Sequence, residues 1–214
     1  MIGLRLDRDP GTILCLGAHP DDIEIGAAGL VRKLAETYPE SRFHFAIFTS
    51  DDFRRKEAEE SGSELLGDRV TVTLGSFTDR YLPYREPGAA KDFLIASTKD
   101  LEVDLVLSPH RADAHQDHSF VAALATQVFR DHLILSYELL KYDGDIGRPQ
   151  LYVPLTEQEV AAKLDHLNRH FPSQHRHQWY TGSVFRSLMA VRGVEAGGGA
   201  THAEAFFVNK ARFV

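Results

Sequence analysis

Cysteine is almost missing from this chain: its 214 residues include one, Cys15. A lone thiol closes no internal disulfide, so nothing points to an oxidising compartment, and a closed thiolate-rich metal site is excluded. Cys15 lies inside an apolar run with nothing beside it in sequence to lower its pKa, which marks it as a small core residue. Positive charge is scarce as well. Twenty-four Lys and Arg against 31 Asp and Glu leave a formal net charge of −7, which argues against a nucleic-acid surface or a polybasic membrane patch. No apolar run reaches 18 residues and no basic segment leads into an apolar one at the start, so a soluble, cytoplasmic protein without a membrane span is expected. Three familiar signatures are lacking too. The first apolar run is not followed by G-x-G-x-x-G, and neither a Walker A sequence nor a G-x-S-x-G elbow occurs.

What is present is ordinary except in one respect. The chain is 43% hydrophobic and 26% charged, with 16 Gly and 9 Pro, the composition of a globular protein. Its length suits a single domain over 1–214. The exception is histidine, of which there are 11.

Apolar periodicity gives the layout. Strand-like runs at 11–18, 43–49, 70–74, 103–107 and 133–139 alternate with helical patterns from Ile23 to Leu34, Phe53 to Leu66 and His118 to Arg130. Residues 75–88 read as a loop leading into a further helix. This alternation predicts an α/β fold: βαβ units and a mostly parallel sheet covered on both faces. The pattern changes near residue 140. Residues 1–140 form the α/β core, and 141–214 form a small α+β extension of the same domain. In that extension 142–154 is turn-rich, 157–170 and 183–191 are helical, 197–199 is a glycine break, and 205–208 is a last strand.

Two polar clusters fall directly after strands, where open α/β sheets collect their working residues. One is Ala18-His19-Pro20-Asp21-Asp22; the other runs from Ser108 to His118 and includes Asp113, His115, Asp117 and His118. If the two strands are neighbours, both clusters open onto one crevice. A catalytic zinc takes three His or carboxylate ligands and leaves a position for water. His19 and Asp22 sit three apart at a helix start, and His115 or His118 supplies the third ligand. Asp21 then remains free to accept a proton, and the second imidazole to donate to a substrate carbonyl. Each piece has a plainer explanation. Paired aspartates suit a helix N-terminus, and a histidine near a strand end is commonly an ordinary loop residue. Together the two clusters favour metal-assisted hydrolysis of an amide or ester.

Two further stretches read as surface. Arg54-Arg55-Lys56 with Glu57, Glu59 and Glu60 suits a solvated helix face with (i, i+4) pairs. His166, His170, His175 and His177 with Trp179 and Tyr180 suit either a substrate rim or an ordinary surface.

At this point the residues resemble the PIG-L/LmbE-type family of zinc-dependent N-acetylglucosaminyl deacetylases. The resemblance rests on Ala18-His19-Pro20-Asp21-Asp22-Ile23-Glu24-Ile25-Gly26 and on His115-Gln116-Asp117-His118. Supporting patches are Arg54 through Glu57 leading to Leu66-Gly67, Pro172-Ser173-Gln174, and Ala203-Glu204-Ala205-Phe206. It implies a Rossmann-like three-layer fold and removal of an N-acetyl group from an amino sugar or related glycoconjugate. It further implies His19, Asp22 and His118 as zinc ligands, with iron(II) as the alternative metal. Asp21 matches the general base, and His115 the residue that stabilises the oxyanion and protonates the leaving amine. Asp117 matches a carboxylate that orients one imidazole, and Arg54 a substrate-contacting arginine. Many members carry a Glu directly after the paired aspartates, whereas here Ile23 intervenes before Glu24. Other readings of the same site are an esterase or phosphoesterase, or a non-catalytic zinc-containing sugar-binding protein. The expected partner is a small acetylated sugar, with assembly into a homo-oligomer left open.

Overall fold

A computed structural model describes residues 3–212. Seven strands form one sheet: β1 (Thr12–Gly17), β2 (Arg42–Ile47), β3 (Val70–Leu74), β4 (Leu105–Pro109), β5 (Leu133–Tyr137), β6 (Leu151–Leu155) and β7 (His202–Val208). Their spatial order is β3-β2-β1-β4-β5-β7-β6. The first five run parallel, whereas β7 lies antiparallel to both β5 and β6.

Period-2 alternation explains why both faces of this sheet are covered. Ile13 and Cys15 point to one side of β1, and Leu14 and Leu16 to the other. The first side packs against α1 (Asp22–Thr37), α2 (Asp52–Leu66), α6 (Glu157–His170) and α7 (Gly182–Ala196). The second side packs against the short α3 (Leu82–Arg85), α4 (Pro87–Thr98) and α5 (Gln116–Val128). This is the expected three-layer α/β arrangement. Cys15 is wholly buried, as its apolar neighbours predict.

Two contacts set α1 in place. Gly26 lets the helix approach β5 so closely that a Cβ there would lie 2.1 Å from Tyr137 Cδ2, and the Tyr137 hydroxyl donates to Leu16 O at 2.5 Å. Farther along, Glu204 of β7 accepts the Gly29 and Leu30 amides and pairs with buried Lys163 of α6 at 2.6 Å. Thus β7 and α6 hold the helix whose first turn carries the paired aspartates.

The turn-rich reading of 142–154 needs correction, because β6 occupies its end. Pro154 weakens the strand signal there. It is tolerated because β6 is an edge strand paired only with β7. Similarly, the 75–88 loop contains α3, α7 continues to Ala196, and β7 begins at His202. Among the described residues no helix is long and apolar enough to cross a membrane.

Candidate active site

Strands β1 and β4 are neighbours, so the two polar clusters share a crevice. From β1 the chain builds β2 and β3 on one side, then β4 and β5 on the other. The crevice lies at that reversal, beyond the carboxyl ends of the strands, where ligands bind in open α/β sheets. It brings together histidines 99 positions apart.

Three donor atoms converge at its floor. His19 Nδ1 and His118 Nε2 are 3.1 Å apart. The Asp22 carboxylate stands 3.6 Å from the first through Oδ2 and 3.3 Å from the second through Oδ1. Donors bonded to one tetrahedral zinc at 2.0–2.1 Å are separated by roughly 3.3–3.5 Å, so the three fit a single ion. The far nitrogens agree. His19 Nε2 meets Asp79 Oδ1 at 2.9 Å, and Asp113 Oδ2 lies 3.1 Å from His118 Nδ1, though too oblique for a straight hydrogen bond. In the neutral tautomers with N–H turned outward toward the carboxylates, the inner lone pairs face one another, which suits a cation bound between them. Burial works against charge at Asp22 and at His118, yet their mutual attraction prevails. It holds Asp22 well below the usual carboxylate range and raises His118 to about 9.

Asp79 and Asp113 are the two outer carboxylates that the sequence reading missed. Asp113 carried a weak signal, lying within the second cluster. Asp79 carried none, because its loop is brought in only by the fold. Asp117, expected to orient an imidazole, stands 3.5 Å from His19 Nε2 and chiefly anchors that loop. It accepts the Arg80 and Leu82 amides at 2.6 and 3.2 Å. Arg80 there adopts a φ of 65°, an uncommon conformation for a side-chain-bearing residue and a local strain beside the site.

Asp21 is buried and lines the cleft, ion-paired with Arg54 of α2. The solvated-face reading of residues 54–60 is therefore wrong for its inward side. Arg54 turns to Asp21. Buried Glu57 accepts the Ser173 amide at 2.8 Å and its hydroxyl at 2.6 Å, tying the 172–174 turn to α2. Those residues recur at helical spacing on the face toward the cleft and the 172–174 turn, which local charge pattern cannot reveal. His115 caps α5. Its Nδ1 accepts the Asp117 amide, which leaves Nε2 as the protonated nitrogen, and its ring stacks on His118 at 4.5 Å. Burial first, then the adjacent His118 and His19, lower His115 to about 4, so it is a neutral donor near pH 7.

Glu24 turns away from the cleft. It is buried, accepts from Ser61 Oγ at 2.5 Å, and is raised to about 8, mainly by desolvation. The cleft itself has a volume of about 860 Å³. Phe53, Tyr142, His177 and Trp179 line it together with the charged residues, so the rim draws on the late His-rich stretch. Tyr142 is 70% exposed and Phe53 60%, an apolar mouth above a polar floor.

Residues 14–129 match the sequence model of the PIG-L family, described as GlcNAc-PI de-N-acetylase. The chain is 28% identical over 169 residues to YaiS, an uncharacterized deacetylase of Escherichia coli K12, covering 74% of this chain and 89% of that one. In structure it resembles the N,N'-diacetylchitobiose deacetylase of Pyrococcus horikoshii, with a TM-score of 0.68, 23% identity, and coverage of 94% and 84% of the two chains. It also resembles GalB, the 4-carboxy-2-hydroxymuconate hydratase of Pseudomonas putida, with a TM-score of 0.74, 17% identity, and coverage of 95% and 98%. A deacetylase and a hydratase on one scaffold mean that the fold does not choose the reaction; the site must.

Proposed function

The chain belongs to the PIG-L family of de-N-acetylases, and from that premise we propose that it hydrolyses the N-acetyl group of an amino sugar or glycoconjugate. The observation that carries this reading is one cleft holding three convergent donors, an ion-paired carboxylate and a neutral imidazole donor. His19, Asp22 and His118 would hold the metal, zinc by their N/O character. When bound, such an ion supplies Lewis-acid polarisation of the amide and lowers the pKa of water at the site.

The protein groups divide the remaining work. Asp21 takes the proton from the attacking water, and Arg54 holds its carboxylate in place. His115 Nε2–H donates to the carbonyl oxygen as negative charge builds there. Because His115 is pushed down to about 4, it serves as a hydrogen-bond donor. The proton collected by Asp21 therefore goes to the departing nitrogen. Water adds across the C–N bond, and acetate and a free amine leave.

The size of the cleft favours a substrate larger than one sugar ring. At about 860 Å³ it lies toward the upper end of ordinary ligand pockets, roughly 300–1,000 Å³. Trp179, Tyr142 and Phe53 offer flat apolar surface for whatever the sugar carries. The deciding experiment measures acetate and amine release from a panel of N-acetylated amino sugars, nucleotide-linked and lipid-linked forms included, with acetyl esters as controls. Release from an acetamide supports the reading; cleavage of the esters alone would overturn it.

A further inference from the structure

Away from the cleft, a second set of donors converges between α2 and α6. Glu64 comes from α2; His166 and His170 lie one turn apart on α6, their rings 4.5 Å apart, and the donor atoms of all three lie within 4.8 Å of one another. Such spacing puts both imidazoles on one helix face. His166 is fully buried, and its Nε2 is taken by Ser61 Oγ at 2.8 Å. Its other nitrogen, Nδ1, is buried without a hydrogen-bond partner. Glu64 Oε1 stands 3.6 Å from it, too far for a hydrogen bond. Yet 3.6 Å is close to the roughly 3.3–3.5 Å between two donors that share a tetrahedral ion.

The neighbours carry charge of both signs: Arg32 and Arg169 act on His166 alongside Glu64, and an ion would have to share Glu64 with Arg169. His170 Nε2 lies 2.7 Å from Glu64 Oε2, a contact an ion can enter by replacing the proton. Arg169 forks across the same carboxylate at 2.5 and 2.6 Å, and its Nε also donates to Asp165 at 2.9 Å. Asp165 keeps the guanidinium anchored when one Glu64 oxygen turns to an ion. An ion-pair staple between α2 and α6 explains Glu64, Arg169 and His170 but leaves the buried His166 Nδ1 without a partner, and a buried polar atom ordinarily finds one.

We propose that Glu64, His166 and His170 form a second divalent-metal site, for Zn2+ by donor type, separate from the catalytic cleft. Its neighbour Ser61 also bonds Glu24 of α1, so an ion here ties α2 and α6 together beside the helix that bears Asp22. It is a stapling site, since no carboxylate remains free there to act as a base.

The test uses full-length protein stripped with a chelator and titrated with Zn2+ by calorimetry. His170→Gln and Glu64→Gln are compared in two backgrounds: the native chain, and an Asp22→Asn/His118→Ala chain whose cleft site is dismantled. One equivalent of Zn2+ should be lost, or weakened at least about 10-fold, in both backgrounds, while acetate release by the singly substituted chains is unchanged. Unchanged stoichiometry and affinity in both backgrounds would overturn the proposal. The Zn2+ stoichiometry is independent of what the cleft hydrolyses.

Discussion

The two histidine–carboxylate clusters of this protein contain the same residue types in different surroundings. In the cleft, the outward nitrogens of both converging imidazoles face carboxylates, Asp79 and Asp113, and Asp21 and His115 remain over beside them. Between α2 and α6, one imidazole is fixed by a hydroxyl and an arginine shares the carboxylate. Donor chemistry alone therefore does not make an active site. Catalysis also needs a carboxylate that can take a proton, a donor for the oxyanion and room for a substrate.

The comparison breaks most severely when a cleft ligand is removed. His118→Ala or Asp22→Ala should abolish both turnover and metal content at that site, which elemental analysis of the purified protein would reveal. Asp21→Asn is gentler on the ion but severe on the reaction. Turnover should fall by about 10²–10⁴ with the metal retained, and an unchanged rate would show that the base lies elsewhere. Next come the outer carboxylates: Asp79→Ala and Asp113→Ala should each weaken metal affinity by about 10–100-fold, read by competition with a chromophoric chelator.

At the second cluster the corresponding change acts on stability. Ser61→Ala leaves Glu24 Oε1 and His166 Nε2 without their partner in the interior. It should cost about 1–3 kcal/mol in a denaturant titration.

The smallest effect concerns a histidine whose pKa is lowered by burial. His44 of β2 is buried with Nε2 unpartnered, and desolvation lowers its pKa, whereas Asp22 raises that of His118. The unfolded chain therefore binds the extra proton more readily, so His44 costs stability as pH falls below about 6.5. His44→Leu should stabilise by about 1 kcal/mol near pH 8 and by more at pH 5.5; an equal gain at both values would remove His44 as the cause.

Much of this was legible locally. The short apolar runs of β1, β2 and β4 and the 3.6 period of α1 follow from burial on both faces or on one, a property of neighbouring residues. The strand-end positions of His19, Asp21, Asp22, His115 and His118 were legible for the same reason. Edge strand β6 was not, because Pro154 breaks the local signal while its pairing with β7 depends on residues far along the chain, Leu151 on Phe206 and Leu155 on His202. The inward turn of Arg54 and Glu57 was hidden similarly: their charge pattern is that of a solvated face, and only the packing of α2 beside the start of α1 and the 172–174 turn reverses it.

By itself, then, the sequence determined which chemistry is available: imidazole and carboxylate without thiolate, on an alternating α/β chain with both clusters at strand ends. The tertiary structure decided which of those groups act together. The sheet order sets β1 beside β4 and so closes a 99-residue gap to 3.1 Å between His19 and His118. It also brings in Asp79 and pairs Asp21 with Arg54. Residue type is a local property. Coordination and proton transfer act over a few ångströms in space, and distances between residues far apart in sequence are set only when the strands pair and the helices pack.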